Sequence, residues 1–198
     1  MNEHQLHSLP PEYFDQVYQA NRDPWNFETS PYERAKYAAT LAALPRPHYA
    51  GAFEIGCSLG LLTAQLAPRC SHLLAVDVSE AALAQARARC AALPQVELRL
   101  LRVPEEFPAQ AFDLILVSEV GYYWSAADLA RAAGRILGGL RPGGQLLLVH
   151  WTAPVHDYPL TGDDVHEFFL AQATAAGPWR HLSGQRHEQY RLDLLERR

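Results

Sequence analysis

The chain has 198 residues, the length of one domain, of which 48% are hydrophobic and 20% are charged, ordinary values for a folded globular protein. The net charge is −5 and the basic residues are scattered, which argues against a nucleic-acid partner. No apolar run reaches the length needed to span a membrane.

Residues 1–50 are predicted to form helical pieces, because prolines interrupt the segment repeatedly. We expect these pieces to cover the sheet as a lid. From residue 51 onward, short apolar runs alternate with runs of helical spacing. The apolar runs predict strands at 51–57, 72–78, 96–103, 112–120 and 145–151. The helical runs predict helices at 59–70, 80–93 (capped by Ser79) and 126–140.

Strands that alternate with helices form βαβ units, which build a parallel sheet covered on both faces. After Trp151 the rhythm changes to a helix at 162–176 and a hairpin at 179–197, which would add an antiparallel edge strand. The sequence therefore predicts one α/β domain over 1–198, with a Rossmann-like, doubly wound, mostly parallel seven-stranded sheet. Within it, 1–50 is the lid, 51–151 the cofactor-binding core, and 152–198 the C-terminal helix and hairpin.

The turn after the first predicted strand, EIGCSLG at 54–60, indicates a ligand site, because such ligands bind at the carboxyl ends of parallel strands. A dinucleotide fingerprint, G-x-G-x-x-G, would require glycine where Ser58 stands, and a phosphate loop would require a lysine. The pattern that remains is E-x-G-x-x-x-G, which suits a nucleoside ligand without phosphates. Gly56 would let the backbone approach that ligand closely, and Gly60 would let the next helix start tightly.

Two carboxylates belong to this predicted site. Glu54, at the end of the first strand, is placed to face the amino group of an amino-acid tail. Asp77, at the end of the second strand, is placed to accept hydrogen bonds from two ribose hydroxyls. Its negative charge would also disfavour a ribose 2′-phosphate.

With these motifs in order, the chain resembles the class I S-adenosylmethionine-dependent methyltransferases from about Tyr13 to its end. The resemblance implies S-adenosylmethionine as cofactor, with the residues after the third strand, 101–104, flanking the adenine. The acidic residue that the family often has there is absent, although Glu105 is close. The cofactor-binding residues predicted in this way are Trp25, Arg34, Glu54, Gly56, Cys57, Gly60, Asp77, Val78, Arg102, Val103 and Ser118.

Two further segments, NRDPWNFETSPYERAKYAATLAAL at 21–44 and SEVGYYW at 118–124, resemble the nodulation protein S (NodS) N-methyltransferases. That family acts on a deacetylated glucosamine nitrogen of chitooligosaccharides. The tail, HWTAPVHDYPLTGDDVHEFF at 150–169, departs from the rhizobial enzymes and is similar to methyltransferases found with sugar deacetylases and glycosyltransferases. The resemblance implies the subgroup and an amino-sugar or oligosaccharide acceptor, but not the nodulation substrate itself.

The N-terminal segment supplies two candidate contacts to the cofactor. Trp25 would lie against the positively charged sulfur, an attraction of roughly 0.5–2 kcal/mol. Alternatively, Trp25 and Phe27 only fasten a helix to the sheet. Arg34 either pairs with the cofactor carboxylate or is a solvated charge on a helix.

The catalytic candidates are Glu119, Tyr122 and His150, all near the ends of the fourth and fifth strands. A glucosamine ammonium must lose its proton before it attacks a methyl group, and Glu119 is the preferred base. Its alternatives are helix capping or a cofactor contact. Tyr122 would bind a sugar, and His150 has either a catalytic or a structural role.

Two other hypotheses concern the kind of protein. A small-molecule O-methyltransferase would use the same cofactor site, and a partner module of a deacetylase or glycosyltransferase would bind the cofactor without turnover.

The cysteines lack metal-ligand spacing and number three, which predicts free thiols in a reducing compartment and no metal site. With no signal-peptide pattern at residue 1, we expect a cytoplasmic protein. The sequence leaves the oligomeric state open.

Overall fold

The computed structural model describes residues 7–153, 155 and 157–198. In chain order the strands are β1 (Tyr49–Ile55), β2 (Cys70–Asp77), β3 (Val96–Leu100), β4 (Phe112–Ser118), β5 (Leu140–Trp151), β6 (Trp179–Arg186) and β7 (Tyr190–Arg197). The α-helices are α1 (Pro11–Ala20), α2 (Pro31–Ala42), α3 (Leu61–Leu66), α4 (Glu80–Cys90), α5 (Ala126–Gly139) and α6 (Gly162–Leu170). The strand order of the seven-stranded sheet is β3-β2-β1-β4-β5-β7-β6. The chain divides into two compact units, Pro10–Arg102 and the remaining described residues.

The unit Pro10–Arg102 contains the first three strands, with β2 paired in parallel to both β1 and β3. Its strand residues Phe53, Leu73 and Leu74 are fully buried, as expected for parallel strands that are covered on both faces. The hydroxyl of Ser79 accepts a hydrogen bond from the amide of Ala82, so the predicted cap of α4 is confirmed. Helix α3 is shorter than predicted, because Pro68 places 67–69 in a 3-10 turn.

The other unit contains β4 to β7. Strand β4 pairs in parallel with β5, while β7 pairs antiparallel with both β5 and β6 and therefore lies between them. The RPGG segment, 141–144, precedes the fifth strand predicted at 145–151, and its Pro-Gly-Gly run is typical of a turn. It lies instead within β5, where the pairing register shifts between Phe112 and Leu114 of β4. Such a local irregularity accommodates extra residues without ending the strand.

The predicted fold class, a mostly parallel seven-stranded sheet completed by an antiparallel hairpin, is confirmed. The predicted helix 162–176 was too long, since α6 ends at Leu170. Residues 171–176 are mainly exposed and offer no continuous apolar face, so packing does not extend the helix. Residues 10–50 contain α1, α2 and the start of β1, while the lid function and the single-domain organisation stay predictions. Within the described part of the chain, no helix has both the length and the hydrophobicity to cross a membrane.

Candidate active site

The turn after β1 has a backbone that requires glycine at two positions. Gly56 and Gly60 have φ angles of 81° and 74°, in the left-handed region that glycine adopts without strain. At Gly60 a Cβ atom would also lie 3.0 Å from both Cα and Cβ of Ala86 on α4. The amides of Gly56 and Cys57 donate to the carbonyl of Val76 on β2, at 2.8 and 2.9 Å. The turn is therefore held tightly between the first two strands and α4.

Asp77 organises this turn through its carboxylate. One oxygen accepts a hydrogen bond from the Ser58 amide at 2.8 Å, and the other accepts from the Ser79 amide at 3.0 Å. Burial raises the pKa of Asp77 above its ordinary value, while these backbone donors and the amide of Val78 oppose the rise. The carboxylate thus fixes Ser58, whose φ of 49° is itself in the left-handed region. The ribose contact of Asp77 stays a prediction.

Glu54 carries a buried carboxylate in the same unit. Its side chain is 1% exposed, and its Oε2 atom has no hydrogen-bond partner among the described residues. Burial raises the pKa of Glu54 from 4.5 to about 7, with the Asp77 charge adding to the rise. The Thr63 hydroxyl lies near enough to oppose the rise, but it does not reach hydrogen-bond geometry. An isolated buried carboxylate is costly, so Oε2 is a natural place for a cationic group to bind.

The N-terminal helices contact the glycine turn through a residue that the sequence did not suggest. The Tyr18 hydroxyl of α1 lies 2.6 Å from Oγ of Ser58. The Trp25 ring stands edge-on to the Tyr18 ring at 5.6 Å, and both pack against Leu59 and Ala82. The sequence around Tyr18 does not predict this contact, because Ser58 is 40 residues away and the helical spacing of Tyr18 indicates only packing.

The structure thus gives Trp25 the packing role that was one of its two alternatives, since it joins Tyr18 and Phe27 in one aromatic cluster. Its contact with a cofactor stays a prediction. Arg34 lies on the exposed surface of α2 and donates to the carbonyl of Thr29 at 2.8 Å. Pairing of Arg34 with a cofactor carboxylate also stays a prediction.

The remaining predicted cofactor residues lie in the segments that follow strands. Cys57 is buried in the glycine turn, Val78 is half-buried directly after β2, and Ser118 is the half-buried last residue of β4. Arg102 and Val103 follow β3, and Val103 is 5% exposed. Their cofactor contacts stay predictions.

In the unit that contains β4 to β7, Glu119 follows β4 with a φ of 58°, which is strained for a residue with a side chain. Its Oε2 atom accepts hydrogen bonds from the Tyr122 hydroxyl at 2.6 Å and from the Trp151 amide at 2.9 Å. The Glu119 amide donates to the carbonyl of Val149 at 2.9 Å. The carboxylate is therefore held half-buried between the ends of β4 and β5.

Tyr122 lies in a cluster of three tyrosines. It stacks on Tyr158 with a centroid distance of 5.2 Å, and Tyr123 meets both rings edge-on at 4.7 Å. Burial raises the pKa of Tyr122 well above its ordinary value, and the Glu119 charge adds to this rise. Tyr122 is therefore a hydrogen-bond donor to Glu119. In the loop that follows β5, Asp157 is exposed, and His156 lies outside the described residues.

His150 is completely buried in β5, and both of its ring nitrogens are engaged. Nε2 accepts a hydrogen bond from the Gly121 amide at 3.1 Å, and Nδ1 lies 3.0 Å from Nε2 of His166. This position favours the structural alternative for His150, while the catalytic alternative is untested. In the ranges that the structure describes, no three His, Cys, Asp or Glu side chains come together as a metal site.

Comparison with known proteins assigns the family. The model of the family "Nodulation protein S (NodS)" matches residues 15–152. The chain belongs to the nodulation protein S family. The resemblance predicted from residues 21–44 and 118–124 is thereby confirmed.

The curated relatives differ from this chain in length. Nodulation protein S of Rhizobium tropici is 35% identical over 127 residues, which are 63% of this chain and 53% of that protein. An uncharacterized methyltransferase of Mycobacterium tuberculosis H37Rv is 30% identical over 131 residues, 66% of this chain and 62% of that protein. The chain therefore spans about half to three-fifths of the length of such relatives.

Solved structures share the fold. A putative methyltransferase from Pseudomonas syringae is 40% identical with a TM-score of 0.73, over 84% of this chain and 99% of that one. The N-methyltransferase NodS from Bradyrhizobium japonicum WM9, in complex with S-adenosyl-L-homocysteine, has a TM-score of 0.82 at 23% identity. That match covers 94% of this chain and 98% of the other, and at this identity it shows the fold alone.

Proposed function

We propose that this protein transfers the methyl group of S-adenosylmethionine to an amine nitrogen of a small acceptor, an amino sugar or a deacetylated oligosaccharide. The observation that carries the cofactor assignment is the buried Oε2 atom of Glu54, which lacks a hydrogen-bond partner among the described residues. The ammonium of the cofactor's amino-acid tail would compensate this carboxylate. Family membership and the methyltransferase names of its relatives support the reaction class. The cytoplasmic location remains part of this proposal.

The residues of the glycine turn fit this cofactor. At Gly56 no side chain obstructs the approach of a ligand to the backbone, and Gly60 lets the turn pack closely against α4. Asp77 retains acceptor capacity for ribose hydroxyls, because its carboxylate has about four lone-pair sites and the amides of Ser58, Ser79 and Val78 occupy at most three of them. When bound, S-adenosylmethionine supplies a methyl group activated by a positively charged sulfur.

Glu119 would act on the acceptor. An amine attacks only with a free lone pair, so a carboxylate in hydrogen-bond reach can hold the ammonium and take its proton. The hydrogen bonds from Tyr122 and Trp151 hold the Glu119 carboxylate in one orientation. Tyr122 would thus support Glu119, and much of the remaining rate enhancement would come from positioning and exclusion of water.

The test is formation of S-adenosylhomocysteine with matched acceptors. Chitooligosaccharides before and after deacetylation differ only in the free amine, and a hydroxyl-only oligosaccharide reports O-methylation. We expect turnover on the deacetylated sugars alone. Equal turnover on the hydroxyl-only sugar would replace the proposal with an O-methyltransferase. Tight cofactor binding without turnover on any acceptor would leave a binding module.

A substitution then tests the base. Glu119→Gln keeps an oxygen that can accept from Tyr122 or Trp151, so the local fold should persist. We expect kcat to fall by about 10²- to 10⁴-fold, the usual range for loss of a general base, with unchanged affinity for S-adenosylhomocysteine. The matched control is Glu188→Gln, at an exposed position of the β6–β7 turn. If Glu119→Gln kept the wild-type kcat, Glu119 would not be the base.

A further inference from the structure

A chain of buried polar side chains leads from the β6–β7 hairpin to the segment that carries Glu119. Nδ1 of His166 lies 2.7 Å from Oδ2 of Asp193, and Nε2 of His166 lies 3.0 Å from Nδ1 of His150. Nε2 of His150 accepts from the amide of Gly121 at 3.1 Å. His150 and His166 are fully buried and Asp193 is 2% exposed, so water does not replace these contacts. Four groups from separate elements are thereby connected.

The donors and acceptors of this chain can be ordered in only one way. The backbone amide of Gly121 can only donate, so Nε2 of His150 accepts and carries no proton. A neutral His150 then carries its proton on Nδ1 and donates it to Nε2 of His166. His166 in turn has its proton on Nδ1 and donates to the carboxylate of Asp193. Both imidazoles are therefore neutral Nδ1–H tautomers, in keeping with burial, which lowers the pKa of His166.

The Asp193 end of the chain is anchored from several directions. Oδ2 of Asp193 also accepts from Nε of Arg191 at 2.7 Å, and Oδ1 lies 2.7 Å from Nε2 of His181 on β6. Arg191 makes further ion pairs to Asp163 at 3.2 Å and Glu167 at 2.7 Å on α6. The Asp193 carboxylate, which accepts the hydrogen bond from His166, is thus held in one orientation.

The Gly121 end of the chain is packed against the catalytic segment. A Cβ atom on Gly121 would lie 2.9 Å from Nε2 of His150, so only glycine permits this approach. The His150 ring also meets the Tyr122 ring edge-on at 5.5 Å. Tyr122 and Trp151, the residue after His150, are the two donors to Oε2 of Glu119. His150 therefore contacts the ring of one donor, Tyr122, and directly precedes the other donor, Trp151.

We propose that His150, His166 and Asp193 are positioning residues, which hold the strained segment 119–122 so that the Glu119 carboxylate faces the acceptor amine. This proposal rests on the proposed function of Glu119. The positive φ of Glu119 costs free energy, and such a conformation persists only where surrounding contacts fix it. His150 acts through Gly121 and Tyr122 and does not receive the acceptor's proton, because both of its nitrogens are already engaged.

Two variants of His166 separate positioning from simple stability. His166→Gln keeps one acceptor and one donor, whereas His166→Leu removes both. The matched control is Phe169→Leu, on the same helix and equally buried, which packs against Trp179 outside the chain of hydrogen bonds. All proteins are assayed below their unfolding transitions, with the deacetylated acceptor and with calorimetry of S-adenosylhomocysteine.

The proposal expects His166→Leu to lower kcat by on the order of 10- to 100-fold, the cost of a misplaced catalytic group. Affinity for S-adenosylhomocysteine should stay within about twofold, since the glycine turn is untouched, and His166→Gln should recover most of kcat. Phe169→Leu should lose stability but keep kcat. Equal losses of kcat in the Leu and Gln variants, or in Phe169→Leu, would overturn the proposal.

A second measurement does not depend on turnover. Nitrogen-15 NMR of histidine-labelled wild-type protein distinguishes the two tautomers of each imidazole. We expect Nδ1–H tautomers for both His150 and His166, and replacement of Asp193 by Asn should alter the His166 signals first. An Nε2–H tautomer at either histidine would refute the proposed order. If the tautomers are as expected and wild-type protein methylates no amine, the proposed function fails while the hydrogen-bond chain stands.

Discussion

The Glu54→Gln substitution tests whether Glu54 is a cofactor ligand that costs stability when the cofactor is absent. Glu54 is 1% exposed and its pKa is raised from 4.5 to about 7. That rise corresponds to about 3 kcal/mol against the ionised form. The folded pKa of Glu54 lies above its unfolded value, so the protonated side chain favours the folded state. Its contribution to the free energy of unfolding is fully present below about pH 4.5 and is lost as the pH rises to about 7. A glutamine has no proton to lose, so the variant should lack this decline.

The assay is urea unfolding of the cofactor-free proteins at pH 5 and at pH 8. We expect the free energy of unfolding of wild-type protein to fall by about 2–3 kcal/mol more than that of Glu54→Gln over this interval. Comparing the change with pH removes the constant cost of burying the glutamine amide. Glu12→Gln, at an exposed site on α1, is the control and should behave as wild type. An identical pH dependence in wild-type protein and Glu54→Gln would refute the reasoning.

Cofactor binding should reverse this effect. An ammonium next to Glu54 favours the carboxylate, so binding of S-adenosylhomocysteine near pH 6 should release close to one proton from wild-type protein. Calorimetry in buffers of different ionisation enthalpy measures that release. It should disappear in Glu54→Gln, with affinity lowered by about 10- to 100-fold for the loss of a charged hydrogen bond. Equal proton release from both proteins would mean that Glu54 does not contact the cofactor ammonium.

Two substitutions test the glycine turn. Gly60→Ala places a Cβ 3.0 Å from Ala86 at a φ of 74°, so we expect unfolding free energy to fall by at least about 1 kcal/mol in thermal or urea melts. Gly134→Ala, with open space around its Cβ in α5, should be neutral or stabilise by about 0.5–1 kcal/mol, and equal effects would contradict the account. Tyr18→Phe removes the partner of the Ser58 hydroxyl, so S-adenosylhomocysteine affinity by calorimetry should fall several-fold, about 1 kcal/mol. An unchanged affinity would limit Tyr18 to packing.

The sequence predicts elements well where one local signal decides them. Strands β1 and β2 are continuous apolar runs, and α4 begins at a capping serine, Ser79. The predictions fail where packing decides the length of an element. Alanine-rich residues after Leu170 could be helical, yet α6 ends there because they are mainly exposed.

The candidate site is predictable in location but not in its internal contacts. The position of Glu54 and Asp77 at strand ends follows from the order of elements. The approach of Tyr18 to Ser58 joins residues 40 positions apart, and that of His166 to Asp193 joins residues 27 apart. Neither pair has a local pattern. A lone histidine such as His150 can have several roles, and only its neighbours distinguish them.

Lys36 is the single lysine of the chain, and it forms a buried ion pair on α2. Lys36 is 2% exposed, and its ammonium lies 3.0 Å from the buried carboxylate of Glu33 and 5.3 Å from the ring centroid of Tyr32. An ammonium is a compact charge, whereas a guanidinium is a broad plane with five donors that this buried position would have to satisfy. Removal of one partner of a buried ion pair typically costs about 3–5 kcal/mol. Burial therefore favours lysine over arginine at this position of α2, in a chain whose other long basic side chains are all arginine.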